Sequence, residues 1–200
     1  MESTRTSLLE SWFGTLDDDA ATASQQASLW WGGDRETDRR LAGDFGALAS
    51  AAAGGVLDHW TGSPRGRLAL VLLLDQLPRA IHRGTPLAFA QDAKARRVAQ
   101  QGLSSGADRL LRPIERVFAY LPFEHSEDLA DQEQSVELFT ELAASVRETW
   151  RGTFDGFLDY AVRHRDVVAR FGRFPHRNEI LRRESTPEEL EFLREPGSRF

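Results

Sequence analysis

The run LALVLLL, Leu68 to Leu74, constrains this chain more than any other stretch. Wound into a helix, its residues are apolar on every side, so protein and not water has to surround it. Just ahead of it, Ser63 can accept from the first free amides and Pro64 suits the first helical position. The segment SPRGRLALVLLLDQ therefore predicts a helix at the centre of the fold, ended or kinked by Pro78. The apolar run is far too short to cross a bilayer, which takes about 20 such residues.

The rest of the chain also has helical spacing, and no alternating strand pattern of useful length appears. Amphipathic segments fall at about 4–13, 18–31 and 35–52, separated by GTLDDD, GGD and GG. Further helices are expected at about 86–103, 112–119, 127–148, 154–172 and 177–183. Another opens at STPEELEFL, where Thr186 caps, Pro187 stands first and Glu189 closes a capping box. The expectation is one compact all-α domain over residues 1–200, an array of about nine or ten helices joined by short connections. No self-similar period of about 34 residues is visible.

Cysteine is absent, which excludes disulfides, thiolate metal sites and cysteine nucleophiles and leaves metal binding to histidine and carboxylates. The start MESTRTSLLESWFG has neither the basic segment nor the apolar stretch of a signal peptide, so a cytoplasmic location is expected, with no membrane partner. The chain carries a net charge of -6, yet RHRDVVARFGRFPHRNEILRR, Arg163 to Arg183, carries about +5, which leaves about -11 for the remainder. Lys94 is the sole lysine among 25 basic residues, so arginine is the default cation here and its placement, not its number, carries meaning. The acidic remainder would repel a phosphate backbone, and nucleic acid is not expected as a partner.

Four stretches hold side chains capable of chemistry. On 154–172, Phe157, Tyr160, Ala161, His164, Val167, Val168 and Phe171 form one stripe, placing His164 on an apolar face. It is either a core histidine with one internal hydrogen bond or a base whose second nitrogen is oriented by a carboxylate. In LPFEHSEDLADQ, Ser126 can cap a helix with Glu127 and Asp128 in its first turn. His125 and Asp128, and Glu124 and Asp128, would share a face if that helix extended back. Asp75 and Gln76 close the apolar helix, where a carboxylate opposes the helix dipole by up to about 1 kcal/mol and needs a cation such as Arg79 or Arg83. In FGRFPHRNEIL, Gly172 ends one helix, Pro175 turns the chain, and a new start near His176 to Asn178 with Arg173 and Arg177 forms an anion-binding corner. Its occupant is either a ligand or an internal carboxylate from Glu124, Glu127, Asp128 or Asp75.

GRLALVLLLDQLPR, HRGTPLAFAQD, ERVFAYLPFEHSEDLADQE and HRDVVARFGRFPHRNEILRRESTPEELEFL together resemble the bacterial family known as domain of unknown function 924, from about Trp12 to Leu193. The resemblance implies an all-helical fold classed with tetratricopeptide-like right-handed arrays and implies no activity. It points to Asp75, Gln76, Arg79, His125, Glu127, Asp128, His164, Arg173, His176, Arg177 and Asn178 as motif residues. The chain departs from the family at Ala80, where asparagine is usual, at Arg182, where glycine is usual, and at Thr37, where an aromatic is favoured.

Two functions follow from these residue types. In one, a pocket takes a small polar or anionic molecule, with His125, His164, Glu127 and Asp128 as acid–base groups. Asp75, Gln76, Arg79, Arg173, His176, Arg177 and Asn178 are then its binding residues. The types suit binding alone or enzymatic turnover. In the other, a tetratricopeptide-like module holds a peptide or protein partner and the same charges are glue between helices. Exposure separates them: a cleft on the order of several hundred Å³, opened onto by His125, His164 and Arg177, or buried pairs beside a groove of Trp12, Trp30, Trp31 or Trp60. No cofactor is expected. A divalent metal would rest on the His125 and carboxylate pairing alone, because the spacing is not that of H-E-x-x-H. Either way, the acidic segment at 124–128 and the basic one at 171–178 should meet around His164.

Overall fold

Three helices come first: α1 (Glu2–Phe13), α2 (Asp19–Trp31) and α3 (Arg35–Ala53). Asp18 starts α2 by accepting from the Ala21 amide, and Asp34 starts α3 by accepting from Glu36 and Thr37. Ser63 Oγ then takes the Gly66 amide at 3.2 Å and Pro64 occupies the first position of α4 (Pro64–Val71). In this computed structural model, which describes residues 2–198, every residue from Leu68 to Leu74 is at most 1% exposed. Each buried leucine contributes about 1.5–3 kcal/mol relative to exposure, so this rod anchors the core. It packs against α1, α6 (Asp92–Ser104) and α7 (Pro113–Glu124), while α8 (Leu129–Ser145) lies between α7 and α9 (Arg151–Phe171).

Pro78 neither ends the rod nor breaks it. The chain widens into a π-helical turn over Leu72–Gln76, the Leu77 amide reaches back to Leu72 O, and α5 (Leu77–Ile81) continues beyond. Proline lacks an amide hydrogen and crowds the carbonyl one turn earlier, and a wider turn accommodates both. Asp75 and Gln76 thus sit inside the rod and not at its C-terminus, so the expected conflict with the helix dipole does not arise.

The array closes with α10 (Pro187–Phe192), capped by Thr186 and Glu189 as the sequence requires. Counting α4, the wide turn and α5 as one rod, nine helices and no strand occur among the described residues. The segment expected as a helix at 177–183 is instead a single tight turn, Pro175–Arg177, followed by further turns. Arg182 there has φ of 56°, a left-handed conformation that glycine adopts at least cost. That is the physical reason for the glycine implied at this position by the family resemblance. Among the described residues no helix is long and apolar enough to cross a membrane.

Two apolar clusters result. The large one surrounds the central rod and includes Trp12, Trp30 and Trp60. The small one, Val167, Val168 and Phe174 with Phe171 and Phe192, lies under the chain's last turns.

Candidate functional site

The wide turn carries Asp75 into the interior, where it is 0% exposed and ringed by donors. Arg79 Nη1 lies 3.2 Å from one carboxylate oxygen and donates to the Asp75 carbonyl at 2.8 Å. Gln76 Nε2 donates at 2.6 Å, and His125 Nδ1 lies 2.8 and 3.0 Å from the two oxygens. Burial opposes ionisation, yet the Arg79 charge and the His125 and Gln76 hydrogen bonds hold the carboxyl well below the usual carboxylate range. An ionised acceptor makes Nδ1 the protonated nitrogen of His125, so Nε2 carries the lone pair. Burial, and then the Arg79 charge, lowers the imidazole pKa despite the pull of Asp75, keeping the ring neutral at pH 7.

His125 caps the end of α7, and Gln132 holds the turn that carries it by donating to the carbonyls of Glu124 and Ser126, both at 2.6 Å. Glu124 is buried beside it, with Oε1 3.3 Å from His164 Nδ1. Burial, and then the Asp75 charge, pushes the Glu124 carboxyl up to about 8, so it holds its proton at neutral pH. His164 Nδ1 donates to the Tyr160 carbonyl at 2.8 Å, and burial drives its ring down to about 3. Two carboxyls of opposite protonation state therefore share one site, one beside each histidine, and the ring centroids of His125 and His164 lie 6.4 Å apart.

Arginines form the opposite wall. Arg79 clasps Asp92 through two hydrogen bonds of 2.9 and 3.0 Å. Arg177, 7% exposed, is left with the same acid at 3.5 Å from Nη1, and its buried Nε has no hydrogen-bond partner. Its guanidinium carbon lies 4.7 Å from the ring centre of Phe89 and 4.6 Å from that of Phe174. Burial, and then the Arg79 charge, lowers Arg177 to about 10, still cationic at pH 7. His176 adjoins Phe174, and burial brings its ring down to about 4.

A second ionic group braces this one. Glu127 accepts from the Phe174 amide at 2.8 Å and from Arg183 at 2.6 and 2.9 Å, so an internal carboxylate occupies the anion-binding corner. Arg173 clasps Glu189 at 2.6 and 2.8 Å, and Asn178 joins Glu189, Ser185 and Arg183. The acidic and basic segments thus meet. Asp75, Gln76, Arg79, His125, His164, His176 and Arg177 belong to the histidine group, while Glu127, Arg173 and Asn178 belong to the brace. Asp128 belongs to neither: α7 ends before it, and it caps α8 by accepting from the Ala130 amide. Sequence reasoning undervalued Glu124 and overlooked Asp92, Phe89 and Arg183. The stretch HRGTPLAFAQD, which contains Phe89 and ends on Asp92, was the available signal for two of them.

Neither expected pattern of exposure is met in full. The His125, His164 and Arg177 side chains are 15%, 6% and 8% exposed, so they do not open together onto a wide cleft. Trp12, Trp30 and Trp60 are core residues, and only Trp31 of the four is exposed. A cavity of about 10 Å³, room for one water, lies between Arg67, Gly102, Asp108 and Leu111, and no residue of the histidine group lines it. Among the described residues no set of three histidine or carboxylate side chains is placed to hold a metal ion.

A family model described as "Bacterial protein of unknown function (DUF924)" matches residues 8–197. The chain belongs to this family. A structure of a protein of unknown function from Agrobacterium tumefaciens is similar at 39% identity and a TM-score of 0.74, over 88% of this chain and 98% of that one. No curated protein matches. The DUF924 match covers the central rod, the histidine group and its brace alike.

Proposed function

We propose that this DUF924 chain binds a small polar or anionic molecule at Asp75, His125, Arg79 and Arg177, and that His125 exchanges a proton with it. The reading rests on one observation: a fully buried Asp75 holds His125 Nδ1 at 2.8 Å, so the nitrogen left to act as a base is the one not engaged by the carboxyl group. A carboxylate behind an imidazole orients the ring and stabilises its protonated form during proton transfer. Glu124 supplies a protonated carboxyl to the same group, and Arg177 supplies a desolvated cation. Gln76 steadies Asp75, while Glu127, Arg173 and Asn178 act through the brace. The interaction-module reading draws less support, since three of its four tryptophans are buried.

The test is a titration with acetate and inorganic phosphate, followed by the resonances of His125. The wild type should show a saturable response, and Arg177→Ala and His164→Ala should abolish it while helical circular dichroism persists. If the wild type shows none, or if both variants unfold, the charges serve only to hold the helices together.

A further inference from the structure

The proposed site leaves the chemical class of its ligand open, and the surroundings of Arg177 narrow it. A guanidinium grips an anion best through Nε–H and one Nη–H, two parallel donors spaced like the two oxygens of a carboxylate. This chain uses that edge repeatedly. Arg83 holds Asp38 through Nε and Nη2 at 2.7 and 3.0 Å, Arg173 holds Glu189 through the same pair at 2.6 and 2.8 Å, and Arg96 holds Asp131 likewise. In Arg177 only Nη1, on the other side, approaches an acid, at 3.5 Å, and Nε is buried without a partner. A buried donor left unsatisfied destabilises the chain, so a group that satisfies it binds with that gain.

From this we infer that the ligand is a small carboxylate, seated edge-on against Nε and Nη2 of Arg177. Phe89 and Phe174 lie 4.7 and 4.6 Å from the guanidinium carbon and place their π-faces against the cation. Those faces are electron-rich and repel an anion's oxygens, leaving the N–H edge for approach. A carboxylate sets both oxygens in the plane of that edge and carries no others. Phosphate and sulfate set two more oxygens out of that plane, where no N–H of the edge meets them. Asp75 and Asp92 next to the site also disfavour a second negative charge on the ligand.

This inference depends on the anion-binding reading above, and one experiment separates the two. Acetate, nitrate, inorganic phosphate and sulfate are titrated separately at constant ionic strength into the full chain and into Arg177→Lys, with binding read from amide chemical shifts around Phe89 and Arg177. Nitrate matters because it is planar and singly charged without being a carboxylate. In the wild type, acetate and nitrate should saturate at concentrations about tenfold lower than phosphate and sulfate, a preference of two in-plane hydrogen bonds. Arg177→Lys keeps the charge but loses the edge, and should erase the preference. Equal or tighter binding of the tetrahedral ions overturns the carboxylate assignment while leaving anion binding intact. If no ion saturates the wild type, both fall. Should the lysine variant fail to fold, the wild-type ranking alone decides.

Discussion

Replacing Asp75 with alanine is expected to cost about 3–5 kcal/mol of folding free energy, because it strands buried partners without the charge they were built around. His125 Nδ1 and Gln76 Nε2 both lose their acceptor, while Arg79 keeps Asp92 and the Asp75 carbonyl. For a chain of this size the loss corresponds to a melting temperature lower by about 6–20 °C. Asp75→Asn keeps the shape and one acceptor, so it should cost roughly half as much. Denaturant unfolding of both variants checks the order. Equal, small losses would mean that solvent reaches this carboxylate and that the group is not the closed network described.

The second large effect is a reversed pH dependence at Glu124. Its folded pKa of about 8 lies above the usual value of 4.5, so between those values the folded chain binds the extra proton and stability falls as pH rises. The cost approaches about 4 kcal/mol by pH 8, as an order of magnitude. His164 and His176 work in the other direction. Held near 3 and 4 when folded against 6.5 when unfolded, they lower stability as pH falls below 6.5. Stability should therefore peak near pH 6.5 and decline on both sides. Glu124→Gln mimics the protonated acid and should remove the alkaline decline, making the variant more stable than the wild type by about 2–4 kcal/mol at pH 8. Thermal melts from pH 5 to pH 9 read this directly. A wild-type curve flat above pH 6.5, unchanged by the substitution, would show Glu124 ionised and paired.

The central rod was legible in the sequence because seven consecutive apolar residues admit no exposed face, and its cap at Ser63 and Pro64 is a local signal. So was the start of α10, written in Thr186 and Glu189. The passage through Pro78 was legible only in part, since a proline reads as a stop or a kink and no spacing shows the turn before it widening. Asp75 consequently looked like a helix end when it is the buried hub. The meeting of 124–128 with 171–178 was readable from charge balance, whereas the choice of partners was not. Glu127 fills the corner and Glu124 stays protonated because of depth: the Phe174 amide and Arg183 reach one carboxylate, and no arginine reaches the other among the described residues. Arg177 was legible as a cation near an anion site. The edge left without an acceptor at Nε depends on which acids the fold brings to Arg177, and no spacing along the chain encodes it.

The claim on which the functional reading depends is the protonation pattern of one ring. Long-range proton–nitrogen correlation of the imidazoles, with His125 assigned by its loss in His125→Asn, measures that pattern at pH 7. The expected spectrum shows a neutral ring protonated at Nδ1, with Nε2 bare. A proton on Nε2, in either the opposite tautomer or a charged imidazolium, would mean that Asp75 does not leave this histidine a base to offer.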